Sequence, residues 1–424
     1  MKRFLAYKWE LVVLLFLAFF FNQADRQIFN VLLPDIQSDL GLSKGQLGLV
    51  ATVLTFVYGI LVPVAGLLGG KVRKKNIIVV ALIVWSTATM MTGLAGSLLA
   101  LILLRSIATG GGEAFYAPSA NALISESHGS DTRATALSIH QTALYLGFIF
   151  SGIIASSIAQ AYGWRNAFYV FGGFGILLAV VLFFRIKNNP SGESGAQVEE
   201  TPKAGVKESL RAFFRCPSAL WITASCAGLQ FAGYAFFTWM PTYMRENPSF
   251  GLTPTQAAFH ATFFFQLASI AGVMVGARLA DRLVSRHPLA RGWVQVTGFL
   301  AGAPFMYLMA RGQSLWLVDA MMVGFGFFKG MYDSNMIASL YDVVEEKYRS
   351  SATSFMLMVG FIIGAISPYL LGALAPKYGL SFGLTLGSFV YFASAFPILA
   401  GTLFTFKKDI LKVKNHFKTG SENS

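Results

Sequence analysis

Seven ionisable side chains interrupt stretches that are otherwise apolar: Asp25, Arg26, Arg105, Glu113, Asp319, Lys329 and Asp333. A charge inside a membrane-spanning helix costs ~2.5–3.5 kcal/mol on insertion scales, so such groups are candidates for function. A buried carboxyl tends to keep its proton, and a nearby guanidinium reverses that tendency. An anionic ligand that competes for the same guanidinium links its own binding to the proton equilibrium. Arg suits a carboxylate because its planar fork offers a bidentate match. The expected chemistry is therefore an exchange of protons and organic anions. Glu113 has no basic residue in its own helical turn and is expected to carry the proton. Asp25 is expected to hold Arg26 or Arg105. Lys329 has Asp333 four residues on to neutralise it. Asp319 lies near a helix end and reads as structural.

Weaker signals come from polar and aromatic residues within the apolar stretches. Tyr116 follows Glu113 by three residues. Gln141 and Tyr145 stand one helical turn apart, with His140 assigned to the same face. Gln230, Tyr234 and Trp239 fall in a later stretch, and Asn335 follows Asp333. The expected substrate contacts are Arg26, Arg105, Tyr116, Gln141, Tyr145, Gln230, Tyr234, Lys329 and Asn335. No G-x-x-x-x-G-K-S/T run occurs, so ATP is not the expected energy source. No Ser/His/Asp or metal-ligand constellation is evident, and Cys216 and Cys226 support neither a disulfide framework nor a metal site. The expectation is a chain that is not an enzyme and takes no cofactor or metal. Its coupling ion is a proton, with sodium as the alternative because carboxylate and carbonyl oxygens surround Asp25.

The elements that must position these groups follow from composition. Of 424 residues, 55% are hydrophobic and 12% charged, with a mean hydropathy of +0.58. A soluble domain carries about 25% charged residues, so most of this surface must face lipid. Soluble enzymes, disordered proteins and fibrous repeats are excluded. Spanning the hydrocarbon core takes ~20 mostly apolar residues. Twelve segments qualify, near 11–33, 46–70, 77–96, 98–125, 133–159, 165–186, 217–241, 256–281, 292–310, 315–341, 351–375 and 381–406. The expected class is an all-α membrane protein with twelve transmembrane helices. At ~1.5 Å per residue, Asp25 in the first helix and Arg105 in the fourth fall at similar depth. Glu113 lies deeper, ~80° round an ideal helix from Arg105, so both can face one cavity.

The net charge of +13 is explained by topology rather than by nucleic acid. Most Lys and Arg residues cluster in alternate connections, which places both termini in the cytoplasm. The sparser outer set is Lys44, Arg165, Arg245, Arg311 and Lys377. The polar stretch 188–215 reads as a cytoplasmic linker between six-helix halves at 1–187 and 216–406, with a basic tail at 407–424. An internal repeat supports the division: the Gly66–Lys71 run corresponds to Gly276–Arg282, and Asp131-Thr132-Arg133 to Lys347-Tyr348-Arg349. Duplicated halves around a central site are a transporter architecture.

The whole chain resembles a major facilitator superfamily transporter. Asp281-Arg282 within GARLADR is similar to the family's loop signature after the eighth helix. In the first half Gly70 stands where the family has Asp, with Arg73 among the remaining basic residues. Two branches resemble the segments Ala24-Asp25-Arg26, Leu33-Pro34-Asp35-Ile36-Gln37 and Asp39-Leu40-Gly41-Leu42-Ser43: the anion:cation symporters and the Spinster-like transporters. Both also resemble Arg105 and Gly112-Glu113-Ala114. Trp239-Met240-Pro241-Thr242-Tyr243 and Gly163-Trp164-Arg165 look more like the first branch. The resemblance implies two pseudo-symmetric six-helix halves rocking around a central cavity. It implies Asp25 and Glu113 as coupling carboxylates and Arg26 and Arg105 as switching or carboxylate-binding cations. It also implies Asp281, Arg282 and Arg73 as a gating loop. The substrate expected is a small organic anion, a uronate, aldonate or sialate, imported with protons by a monomer in the plasma (inner) membrane. The alternative is a Spinster-like carrier of lysophospholipids or sphingolipids.

Overall fold

The computed structural model describes residues 6–68, 73–129, 131–187 and 205–421. The described residues are helical or in connecting turns, with no strand among them. The first nine spans are Tyr7–Leu40, Lys44–Leu68, Lys74–Thr92, Leu98–Ser127, Arg133–Tyr162, Trp164–Arg185, Pro217–Glu246, Pro254–Val284 and Ala290–Arg311. The tenth is Leu315–Val343, which holds all three ionisable residues expected there. The eleventh begins as Arg349–Gly364 and resumes at Ile366. Helix Ile366–Ala393 is broken at Gly379, whose φ of 79° lies in the left-handed region that glycine alone tolerates readily. That break divides the eleventh span from the twelfth, which ends in the π-helical turn Gly401–Thr405. Twelve spans thus stand among the described residues.

Of the stretch read as a linker, 188–204 lies outside the described residues, as do Gly70 and Lys71 of the first-half loop. The remainder holds a short helix, Val206–Phe214, that hydropathy alone does not show. Its Ser209 and Phe213 are buried while Lys207 and Glu208 face outward, so it is amphipathic. Glu208 accepts a hydrogen bond from the Tyr348 hydroxyl at 2.5 Å. That bond holds the Glu208 carboxyl below the usual carboxylate range.

The chain divides into two compact units. The first comprises 1–199 together with 237–262 and 368–373. Its core is a layer of apolar side chains from the first, third, fourth, fifth and sixth spans, including Leu15, Leu82, Trp85, Leu123 and Leu182. Charged residues at helix ends tie in the added segments. Arg245 donates to both oxygens of Asp35, at 2.5 and 2.9 Å. Lys44 pairs with Glu246 at 2.7 Å. The second unit comprises 200–236, 263–367 and 374–424. Aromatic packing of Phe299, Phe325, Tyr332 and Tyr391 fills its centre. Tyr391 donates to the Gly298 carbonyl at 3.1 Å, which satisfies its buried hydroxyl.

Candidate functional site

The first span carries Asp25 and Arg26 on successive positions, about 100° apart round the helix. Each therefore reaches a different neighbour. Asp25 turns toward the third and fourth spans. Its Oδ2 accepts a hydrogen bond from Thr89 Oγ1 at 2.6 Å. Arg105 Nη2 donates to the Asp25 backbone carbonyl, and Arg105 Nη1 stands 3.8 Å from Asp25 Oδ1. Arg26 turns elsewhere: its Nε donates to Glu113 Oε2 at 2.8 Å. The guanidinium also lies over the Tyr58 ring of the second span, 4.2 Å from its centroid. Phe29 presents its ring to Arg105 at 5.5 Å.

The arrangement is buried. The side chains of Arg105 and Glu113 are 1% and 0% exposed, whereas Arg26 retains 14%. Removing one partner from such a pair leaves an uncompensated charge, which is more costly than the pair itself. Valence is also left over. Asp25 Oδ1, Glu113 Oε1 and Arg105 Nε have no hydrogen-bond partner among the described residues. Buried polar atoms are normally satisfied, so unsatisfied ones mark a place where a proton or ligand atom can be accepted.

The local fold of the fourth span sets this geometry. Residues Ile102–Ala108 form a π-helical segment, in which each turn holds more residues than an α-turn. Arg105 sits inside it, and Glu113 follows after the run Gly110-Gly111-Gly112. A Cβ on Gly110 would stand 3.0 Å from the Leu54 carbonyl oxygen, and one on Gly112 3.0 Å from the Trp85 backbone. Glycine at these two positions brings the second and third spans against the fourth.

The four charged residues expected to meet do meet. Glu113 has no basic residue in its own helical turn but takes Arg26 from the first span, which leaves Asp25 with Arg105, one of the two partners expected for it. Tyr58, Thr89 and Phe29 were missed. Each sits in an apolar span with no charge to single it out.

Other expected contacts fall elsewhere. Tyr116 does not join this cluster. Its ring is fully buried against Trp85 and Phe19, and its hydroxyl donates to the Leu15 carbonyl and contacts His140 Nε2. It is a core residue of the first unit. His140 is buried against Phe19, while Gln141 is exposed, so the face assigned to both is divided. Tyr145 is half-buried.

In the second unit, Gln230 and Tyr234 pack on Gly364, and the Tyr234 ring meets Phe361. Lys329 and Asp333 form an ion pair one turn apart on the tenth span, each partly exposed. Asn335 is 1% exposed and donates to the Gly276 and Met331 carbonyls at 3.2 and 3.1 Å. It joins the eighth and tenth spans, and its Nδ2 group also donates to Ser334 Oγ at 3.0 Å.

Of the residues expected in a gating loop, Asp281 accepts from Arg291 Nη2 at 3.2 Å. The same guanidinium donates to both oxygens of Asp342 at 2.7 Å. Arg291 thus clasps the ends of the eighth and tenth spans, a role that sequence reading missed. Arg282 and Arg73 are exposed.

Comparison with known proteins places this arrangement. The model of the Major Facilitator Superfamily matches residues 15–368 and 248–420. A probable sulfoacetate transporter of Cupriavidus necator is 28% identical over 379 residues, 86% of each chain. Protein spinster homolog 1 of Homo sapiens is 27% identical over 374 residues, covering 84% of this chain and 71% of that protein. Among solved structures, a bacterial homolog of the human lysosomal transporter Spinster superposes with a TM-score of 0.78. It is 21% identical and covers 96% of this chain and 98% of its own. The family model spans both units and all twelve spans, and the chain belongs to the Major Facilitator Superfamily, a family of transporters and not of enzymes.

Proposed function

We propose that the chain imports a compact organic anion together with protons, by alternating access. The observation that carries this reading is the Arg26–Glu113 ion pair, at 2.8 Å with Glu113 wholly buried. A carboxylate or sulfonate arriving at Arg26 competes with Glu113 for one guanidinium. Glu113, once released, is a buried carboxylate without its cation, and it takes up a proton. The two events therefore favour each other. Asp25, with Thr89 and Arg105 on it, serves as the second coupling carboxylate. Sodium is the alternative ion, drawn by the same oxygen atoms.

The substrate class is an organic anion, and the sulfoacetate transporter supports that class through its similarity. Uronates, aldonates and sialates are the larger anions to compare with sulfoacetate. Lys329, beside Asp333, offers a second cation within the other unit. The protein acts as a monomer in the plasma (inner) membrane; its Lys and Arg distribution supports a cytoplasmic placement of both termini.

The test is uptake into proteoliposomes under separately imposed proton and sodium gradients. Glu113→Gln should abolish pH-driven accumulation while substrate exchange continues. If accumulation against a gradient persists in that variant, Glu113 is not the proton carrier. A second reading, transport of a lysophospholipid, is favoured by the similarity to Spinster proteins. Thermal-shift assays with sugar acids, sulfoacetate and lysophospholipids distinguish the two.

A further inference from the structure

The short helix Val206–Phe214 leads into the seventh span, Pro217–Glu246, from which Arg215 and Cys216 separate it. A ring contact sets its depth. Phe213 meets the Phe355 ring edge-on, with centroids 5.8 Å apart. Phe355 lies inside the eleventh span, which begins at Arg349, ~9 Å along that helix at 1.5 Å per residue. The short helix is therefore held at the edge of the apolar layer, not out in water.

At ~100° per residue, four sides of this helix can be told apart. One side is packed on the protein: Ser209 and Phe213 are 1% and 4% exposed. The adjoining side holds Val206, Leu210 and Phe214, spaced about one turn apart. These three apolar residues remain 54%, 39% and 62% exposed. The third side holds Lys207, Arg211 and, at the C-cap, Arg215. All three are exposed, and none forms an ion pair among the described residues. The fourth side holds Glu208, which is engaged by the Tyr348 hydroxyl and stands 3.6 Å from Lys347 Nζ.

These contacts fix the roll of the helix. With Phe213 on the eleventh span and Glu208 at Tyr348, the apolar stripe cannot turn inward. Beside it runs a row of three cations whose nearest carboxylate on the same helix is engaged on another side. An apolar stripe flanked by cations, at the end of a membrane span, matches one surface: acyl chains below a layer of phosphates.

We infer that the helix Val206–Phe214 lies in the interface of an anionic phospholipid leaflet, with Val206, Leu210 and Phe214 among the acyl chains and Lys207, Arg211 and Arg215 at the phosphodiesters. Through Phe213 and Glu208 the helix links the charge of that leaflet to the ends of the seventh and eleventh spans. This surface is separate from the Arg26–Glu113 cluster and does not depend on the function proposed for it.

The experiment uses the full-length protein in phosphatidylcholine nanodiscs containing phosphatidylglycerol. With Cys216 and Cys226 replaced by Ala, a nitroxide is attached in turn to Leu210→Cys, Phe214→Cys and Arg211→Cys. The labels at 210 and 214 should favour oxygen over a water-soluble nickel chelate several-fold more than the label at 211. They should lie about 5–10 Å below the phosphates. Chelate access at 210 and 214 equal to that at 211 overturns the membrane contact. Exclusion of both reagents there means that protein covers the stripe, and overturns it as well. A second measurement needs no cysteine replacement. Amide exchange over 206–214 of the unmodified chain should slow several-fold when phosphatidylglycerol is added to phosphatidylcholine. The variant Lys207→Gln/Arg211→Gln/Arg215→Gln should lose that difference. Equal exchange of the unmodified chain in the two lipids, or a difference that survives in the variant, overturns the headgroup contacts.

Discussion

Arg26 and Glu113, 87 residues apart in the chain, form a buried ion pair at 2.8 Å that joins the first span to the fourth. Because the carboxylate is the more deeply enclosed partner, losing the guanidinium hurts more than losing both. Arg26→Gln should destabilise the protein by about 3 kcal/mol, the lower end for an orphaned buried charge. The double variant Arg26→Gln/Glu113→Gln should regain much of that loss. Melting temperatures of the purified proteins in one detergent check the order: wild type, then double, then Arg26→Gln lowest. A double variant no more stable than Arg26→Gln would contradict the pairing.

Tyr116 is a core residue, and its replacement separates packing from ligand contact. Tyr116→Phe removes a hydroxyl that donates to the Leu15 carbonyl. The expected cost is about 1–2 kcal/mol, since the freed carbonyl is buried. Substrate affinity should stay as in the wild type. A lowered melting temperature with unchanged half-saturation for uptake is the expected pair of results.

The three glycines before Glu113 should respond differently to a methyl group. Gly112→Ala forces a Cβ to within 3.0 Å of the Trp85 backbone. Overpacking of that kind costs about 1–3 kcal/mol. Gly111→Ala meets no such contact, and alanine favours a helix over glycine by about 0.5–1 kcal/mol. Thermal unfolding should show the first variant below the wild type and the second at or above it.

The short helix Val206–Phe214 should loosen in acid. The Tyr348 hydroxyl holds Glu208 below the usual carboxylate range. The folded value is thus lower than the unfolded one. The bond contributes fully above the unfolded value and is lost as pH falls through the folded one. Amide exchange over 206–214, corrected for intrinsic rates, should be level from neutral pH down to about 4.3, the ordinary glutamate value, and rise below it. In Tyr348→Phe the acid step should disappear.

Hydropathy was enough to locate the twelve spans, because a lipid-facing helix must be apolar along most of its length. Counting depth along ideal helices also brought Asp25 and Arg105 to one level. Azimuth was harder to read. The ~80° separation of Arg105 and Glu113 assumed an unbroken α-helix, but the π-helical segment Ile102–Ala108 changes the phase within that interval. A second irregularity follows at Ala114 and Phe115, before the helix resumes at Tyr116. Tyr116 consequently faces the core rather than Glu113. Thr89 and Tyr58 carried no signal of their own. A threonine or tyrosine in a spanning helix becomes legible only when its neighbour across the gap is known. Asn335 shows a second use of a polar group. A polar side chain in an apolar helix suggests a ligand contact, but it also serves packing, and here the Nδ2 group binds two backbone carbonyls.

The Tyr58 ring beneath Arg26 has a consequence for the proposed cycle. Were a proton to neutralise Glu113 in that cycle, the guanidinium would not have to travel to bulk solvent or stand naked in hydrocarbon. The electron-rich face of the phenol would support it and offer a berth while its acidic companion is silent. In that reading the cation changes occupants without ever leaving a favourable contact.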